Sequence, residues 1–191
     1  MARSASYKVK FRRRREGLTD YYLRTKLLKS GLPRVVVRIS NKHVRVMVVS
    51  SKIVGDMTLA SAFSQELKKF GWPFSFNNTP AAYLTGYLAG LRCLKKNVSE
   101  GILDVGLHKP VKGGRIYAAC KGLLDTGFNI RVDESMLPEE SRLTGKHIVE
   151  YFKKSGGKGF SKYVREGLNI DEMPRLVEEV KSRIKEAFEH G

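Results

Sequence analysis

Pro33-Arg-Val-Val-Val-Arg-Ile-Ser-Asn-Lys-His-Val-Arg-Val-Met-Val-Val-Ser50 decides the fold. Its two β-branched runs, Arg34 to Ser40 and His43 to Ser50, read as strands, and Asn41-Lys42 between them reads as a hairpin tip. Val35, Val37 and Ile39 share one face of the first strand. Val44, Val46 and Val48 share one face of the second. If those valines face a core, Arg34, Arg38 and Ser40 project together from the other side, because side chains alternate along a strand. With Asn41, Lys42, His43 and Arg45 they cluster at or near the tip. Alone, such a charged strand face is usually just solvated. What precedes it reverses that reading.

Upstream stands Tyr7-Lys-Val-Lys-Phe-Arg-Arg-Arg-Arg-Glu-Gly-Leu-Thr-Asp-Tyr-Tyr-Leu-Arg24. Arg12, Arg13, Arg14 and Arg15 are consecutive. They cannot share one helix face, and free in water they repel one another. A polyanion removes that repulsion, and arginine forks match phosphate oxygens. Phe11, Tyr21 and Tyr22 lie beside the cluster, and aromatic rings there can stack on unpaired bases. The stretch reads as an arm that lies on structured nucleic acid. A disordered basic tail, a nuclear address or a general polyanion patch is the plainer reading.

The charge balance agrees with the arm. The 191 residues carry 36 Lys and Arg against 19 Asp and Glu, a formal +17. Residues 1–45 hold fourteen of the bases and two of the acids, a net +12 against +5 in the remainder. An excess packed at one end is the footprint of a polyanion partner, beyond what solubility needs. The length suits one domain with appendages or two small ones, and is enough to bury roughly 70% of the unfolded surface. Cys93 and Cys120 form no CxxC and fall in apolar helical patterns, so they read as reduced core thiols in a reducing compartment. No apolar run approaches a membrane span, and the start lacks the apolar stretch of a secretion signal. Its acid-poor Arg/Ser beginning also fits a transit peptide, but the basic run leads straight into the aromatic pair and the first strand.

Around the hairpin, the pattern predicts a short helix over Leu23 to Lys29 and a third short strand at Ile53-Val54. It predicts a helix from a Thr58 cap to Phe70, with the stripe Leu59, Phe63, Leu67 and Phe70, ended by Gly71. Thr79-Pro80 opens another helix, in which Gly86 and Gly90 imply a close neighbour, a packed sheet sooner than a ligand. A fourth strand over Ile102 to Leu107, a helix over Arg115 to Thr126 and a fifth strand over Phe128 to Arg131 follow. The expected class is α/β: a mixed sheet of about five strands with packed helices. Beyond Asp133 the chain turns acidic and irregular. Thr144 is expected to cap a helix to Phe152, and Met173 to Glu189 is expected to be an amphipathic helix. The expected parts are a basic arm (1–30), an α/β core (31–132) and a mostly helical extension (133–191).

Two glycine-rich basic loops add possible phosphate contacts, Lys109, Lys112 and Arg115 in one and Lys153, Lys154 and Lys158 in the other. Neither is a P-loop, and mobile solvent loops fit them equally well. His43, His108, His147 and His190 lack metal-ligand spacing. A two-metal nuclease built on Asp56, Asp104 and Asp125 is the competing enzymatic reading. An adaptor working through the Met173–Glu189 helix is a third.

Five blocks carry a resemblance: YKVKFRRRREGLTDYY, PRVVVRISNKHV, GDMTLASAFSQELKKFGWPFSFNNTPAAYLTGYLAGLR, CKGLLDTGFNIRV and RLTGKHIVEYF. In unchanged order over essentially the whole chain, they resemble the 5S ribosomal RNA-binding family of the large subunit, numbered eighteen in bacteria and archaea and five in eukaryotes. The resemblance implies a ribonuclease-H-like fold of the translational-machinery-component type, without the active site, catalysis, metal, cofactor or small-molecule substrate. It implies a cytoplasmic protein in the central protuberance that holds 5S rRNA against the large-subunit (23S-type) rRNA, with neighbouring ribosomal proteins as further partners and no membrane. Carried onto this chain, the expected RNA contacts are Lys8, Lys10, Phe11, Arg12, Arg13, Arg14, Arg15, Thr19, Tyr21, Tyr22 and Arg24 in the arm. In the hairpin they are Arg34, Arg38, Ser40, Asn41, Lys42, His43 and Arg45. The eukaryotic segment near Gly101 and longer tail are missing, and bacterial members stop before the Asp133 region, so the likeness is to an archaeal form. Leu18 stands where relatives often carry lysine, which removes one expected phosphate contact.

Overall fold

The computed structural model describes residues 4–189, and the chain enters it through the arm. Arg12–Arg15 makes a single helical turn (α1), and Tyr21–Leu28 a two-turn helix (α2). Asp20 starts α2 by accepting from the backbone N–H groups of Tyr22 and Leu23 at 2.9 and 3.0 Å. Three antiparallel strands follow: Arg34–Ile39 (β1), Val44–Ser51 (β2) and Asp56–Phe63 (β3). Then come a 3₁₀ helix over Ser64–Phe70, helix α3 (Thr79–Lys95), strand β4 (Glu100–Asp104), helix α4 (Arg115–Leu124) and the two-residue strand β5 (Asn129–Ile130). β4 pairs parallel with β1, and β5 parallel with β4, so the mixed sheet runs β3-β2-β1-β4-β5. The remainder is helical: α5 (Glu140–Leu143), α6 (Lys146–Ser155), α7 (Ser161–Arg165) and α8 (Met173–Glu189).

The expected α/β class with about five strands is what forms. One sheet face is apolar throughout: Val35 and Val37, Val44, Val46 and Val48, and Ala60 and Ala62 are all buried. Helices α3 and α4 cover it. Asn78 caps α3 by accepting from Ala81 N–H at 2.9 Å, with Pro80 in the first turn. The glycines of α3 do mark a close neighbour, but it is a helix instead of the sheet. A methyl on Gly86 would collide with the Ala119 carbonyl, and one on Gly122 of α4 with the Tyr83 carbonyl. Cys93 and Cys120 are free and fully buried, and burial pushes their thiols up to about 11 and about 12.

The helical tail does not stand apart. Leu143, Ile170, Met173, Val177, Val180 and Ile184 join the same core as the sheet valines, so the apolar face of α8 is consumed inside the molecule.

Three local readings need correction. The Thr58–Phe70 helix is instead β3 followed by the 3₁₀ turn. Asp56–Phe63 extends the sheet from the free edge of β2, and that pairing overrides the helix-like spacing. Ile53 and Val54 are not a strand but a fully exposed turn, closed by hydrogen bonds between Lys52 and Gly55. Thr144 does not cap α6, because its hydroxyl donates back to the Glu140 carbonyl at 3.0 Å and Gly145 occupies the cap.

Candidate nucleic-acid interface

The second face of the sheet carries Arg34, Val36 and Arg38 on β1, opposite Val49, Met47 and Arg45 of β2, with Asp104 beside Val36. The arm lies beside it, and Val36 and Val49, which point away from the helices, are nonetheless buried. Between arm and sheet runs a groove of about 740 Å³, with Val36, Met47 and Val49 along its floor and Arg13, Arg24 and Arg38 along its walls.

A ladder of alternating charge crosses this groove. Arg24 of α2 donates two parallel hydrogen bonds to Asp56, at 2.7 and 2.9 Å. Asp56 also accepts from Arg34 at 2.5 Å and from the Ser51 hydroxyl at 3.0 Å. Arg34 reaches on to Asp104 at 2.7 Å, and Asp104 accepts from Arg38 at 2.9 Å. Arg38 further donates to the Asp104 backbone carbonyl at 2.7 Å. The hydrogen bond from Arg24 leads in holding the Asp56 carboxyl far below its ordinary range, against the opposing pull of burial. Burial pushes the Asp104 carboxyl up, but the hydrogen bonds and charges of Arg38 and Arg34 outweigh it, so it too lies below the ordinary value. Asp56 in turn raises Arg24.

This ladder corrects the expectation of an outward basic ridge. Arg34 does leave the valine side of β1, but it is only 4% exposed and held between two carboxylates. It cannot meet a phosphate without dismantling the sheet face. Arg24 and Arg38 are half-committed: each is partly exposed and ion-paired. Ladder membership was not legible in the sequence, where Asp56 and Asp104 stand 22 and 70 residues from Arg34.

The expected arm residues lie in the open. Lys8, Lys10, Phe11 and Arg12 to Arg15 are all exposed. Arg12 has Glu16 at 3.8 Å, while Arg13, Arg14 and Arg15 have no carboxylate partner among the described residues. Arg13 Nε donates to the Thr19 hydroxyl at 2.9 Å. The Arg14 guanidinium lies 5.4 Å from the centre of the exposed Tyr22 ring, and Phe11 and Tyr21 rings are 6.4 Å apart. Unneutralised forks beside exposed rings have the chemistry that phosphates and unpaired bases can meet.

The hairpin tip is a second such surface. Ser40 and His43 close it: His43 N–H donates to the Ser40 hydroxyl at 3.0 Å, and Ser40 N–H to the His43 carbonyl at 2.9 Å. The His43 ring stacks on Phe76 and leans on Phe63, which also carries the exposed Arg45 guanidinium at 5.1 Å. Ser40, Asn41 and Lys42 are exposed. Asn77, which nothing in the sequence singled out, donates to the Asn41 carbonyl at 2.9 Å and accepts from Arg115 at 3.0 Å. It thereby brings Arg115 to the tip. Lys109 and Lys112 are exposed in the preceding loop. Lys153, Lys154 and Lys158 are exposed on and after α6, where Lys153 pairs with Asp171 at 3.0 Å.

The carboxylates of the nuclease reading do not gather. Asp56 and Asp104 are tied through Arg34, while Asp125 accepts from Tyr83 at 2.7 Å and pairs with Lys121 among the helices. No three His, Cys, Asp or Glu side chains come together as metal ligands among the described residues. His190 lies outside them.

Residues 5–102 match the family model described as ribosomal large subunit proteins 60S L5 and 50S L18. The chain is also 52% identical to a large ribosomal subunit protein uL18 from Aeropyrum pernix, over all of this chain and 92% of that protein. The chain belongs to the uL18 family. The uL18 protein of Caldivirga maquilingensis is 50% identical over 98% of this chain and 95% of its own length. That of Methanothermobacter thermautotrophicus is 46% identical over 97% of this chain and 99% of its own. The likeness to uL18 extends beyond the residues of the family model into the helical extension, and all three organisms are archaea, in line with the expected archaeal form.

Proposed function

We propose that this uL18 protein, a structural component of the large ribosomal subunit in the cytoplasm, binds 5S rRNA and helps attach it to the large-subunit rRNA in the central protuberance, with no catalytic step. The observation that carries the reading is the exposed row Arg13, Arg14 and Arg15, without carboxylate partners among the described residues and flanked by Phe11, Tyr21 and Tyr22. The gripping set is Lys8, Lys10, Phe11, Arg12 to Arg15, Thr19, Tyr21 and Tyr22 in the arm, and Ser40, Asn41, Lys42, His43 and Arg45 at the hairpin tip. Arg24 and Arg38 contribute from the groove wall, whereas Arg34 supports them from beneath. Lys109, Lys112 and Arg115 extend the hairpin surface.

Three parts divide the work in this reading. Residues 1–30 grip the RNA, residues 31–132 hold the grip rigid, and residues 133–191 face large-subunit rRNA or neighbouring ribosomal proteins through Lys153, Lys154 and Lys158. Capture of the protein from a cell lysate followed by sequencing of the bound RNA tests it. Strong enrichment of 5S rRNA is expected; recovery of other RNAs without 5S would overturn the proposal.

A further inference from the structure

We infer that Asp56 is the positioning residue that docks the RNA-binding arm on the sheet before any RNA arrives. The inference rests on the arm being the part that grips RNA. Helix α2 has little else to hold it. It is two turns long and none of its residues is fully buried, whereas an isolated helix of that length is not stable in water. Tyr21, Leu23 and Leu27 are half-buried, and the first two line the groove beside the sheet, a modest apolar footing. Asp56 adds the directional tie. It receives Arg24 through a two-bond fork while it receives Arg34, from the sheet, on the same carboxylate. One side chain therefore joins the arm to the body.

From that tie the fixation is passed along the chain. Arg24 lies one turn after Tyr21, whose helix is capped by Asp20. Thr19, next to the cap, accepts from Arg13 Nε at 2.9 Å. Arg13 opens onto the arginine row. The sheet, Asp56, Arg24, the Asp20 cap, Thr19 and Arg13 thus form one connected path. An arm already in place avoids the ordering cost that a free segment meets on binding.

The sign of the effect separates this role from a bland one. A carboxylate that merely sits near phosphates weakens RNA binding, so neutralising it with Asp56→Asn should tighten the complex. A docking carboxylate does the opposite: its removal frees the arm and weakens binding although the protein has gained positive charge. If the docked fraction falls to about a tenth or a fifth, affinity falls about five- to tenfold. The phosphates contacted stay the same, so the salt slope should not change.

The experiment uses the full chain. Amide exchange is followed in the free protein, and 5S rRNA binding is measured for the unsubstituted protein, Asp56→Asn and Asp56→Glu. Asp56→Asn is expected to lose about tenfold or more of the protection of residues 21–28 while residues 35–39 and 80–93 keep theirs. Affinity should fall with an unaltered salt slope, and Asp56→Glu should recover part of both. Should Asp56→Asn unfold because Arg34 loses a partner, Arg24→Gln cuts only the arm side of the tie and must release residues 21–28 in the same way. Unchanged protection of 21–28 in the folded variants, or tighter RNA binding by Asp56→Asn, would overturn the inference. Failure of the unsubstituted protein to bind 5S rRNA would instead count against the function proposed above, and the exchange data from the free protein would still decide whether Asp56 holds the arm.

Discussion

Arg34 Nη1 lies 2.7 Å from Asp104 Oδ2, and the two side chains are 4% and 7% exposed. A pair this deep is costly to break from one side, because Arg34 stays buried and keeps only Asp56, itself shared with Arg24, as its carboxylate. Asp104→Ala should therefore destabilise the fold by about 3–5 kcal/mol, read as a shifted denaturation midpoint with an unchanged denaturant slope. A loss below about 1 kcal/mol, the range typical of exposed pairs, would mean that Asp56 alone is enough to hold the buried Arg34.

Acid should act through the same carboxylates. Asp56 and Asp104 both titrate below their ordinary value of 3.8 in the folded chain. A depressed folded value contributes stability that is fully present above the unfolded value and is lost as pH falls through the folded one. Stability should be insensitive to these two groups near neutral pH and decline through them only below about pH 4. Thermal melts from pH 3 to 7 check this: Asp56→Asn should narrow its gap to the unsubstituted protein as pH drops. A gap that stays constant would remove the carboxylates from the account.

The crossing of α3 and α4 predicts a different kind of sensitivity. Added methyls at Gly86 or Gly122 run into backbone carbonyls, which cannot swing aside as a side-chain end can. Gly86→Ala and Gly122→Ala should each cost about 1–3 kcal/mol or more, despite the helix propensity that alanine adds. Thermal melts that show either variant unchanged or stabilised would mean that the helices separate freely.

The basic residues of the hairpin should split into two classes. Lys42→Ala and Arg45→Ala remove exposed side chains and should leave stability within about 0.5 kcal/mol, while weakening 5S rRNA binding severalfold. Arg34→Ala should do the reverse, harming the fold first. Parallel melting and binding measurements on the three variants would refute the division if Arg34→Ala melts normally and loses RNA affinity.

What could be read from the sequence was local periodicity. The β1–β2 hairpin, helices α3 and α4, and the amphipathic α8 all announce themselves within a few residues. Strand β3 did not, because Asp-Met-Thr-Leu-Ala-Ser-Ala-Phe has small residues at its core positions and a threonine that mimics a helix cap. Only the waiting edge of β2 settles it. Arg34 was misplaced for the same reason. Alternation along β1 says which way it points, but not that α2 folds back beside that face or that Asp56 and Asp104 arrive from strands far off in the sequence. The exposed row Arg13 to Arg15 was legible because it takes no carboxylate partner among the described residues. Asn77 left no signal, since its role is a bridge between two loops.

The salt dependence of 5S rRNA binding tests the central claim most directly. If six to ten phosphates are neutralised, affinity should fall roughly 10³–10⁵ between about 50 and 200 mM salt. The double variant Arg13→Ala with Arg14→Ala should bind more weakly, with a log–log slope shallower by about two. Binding that ignores salt, or a double variant whose slope matches that of the unsubstituted protein, would contradict the account.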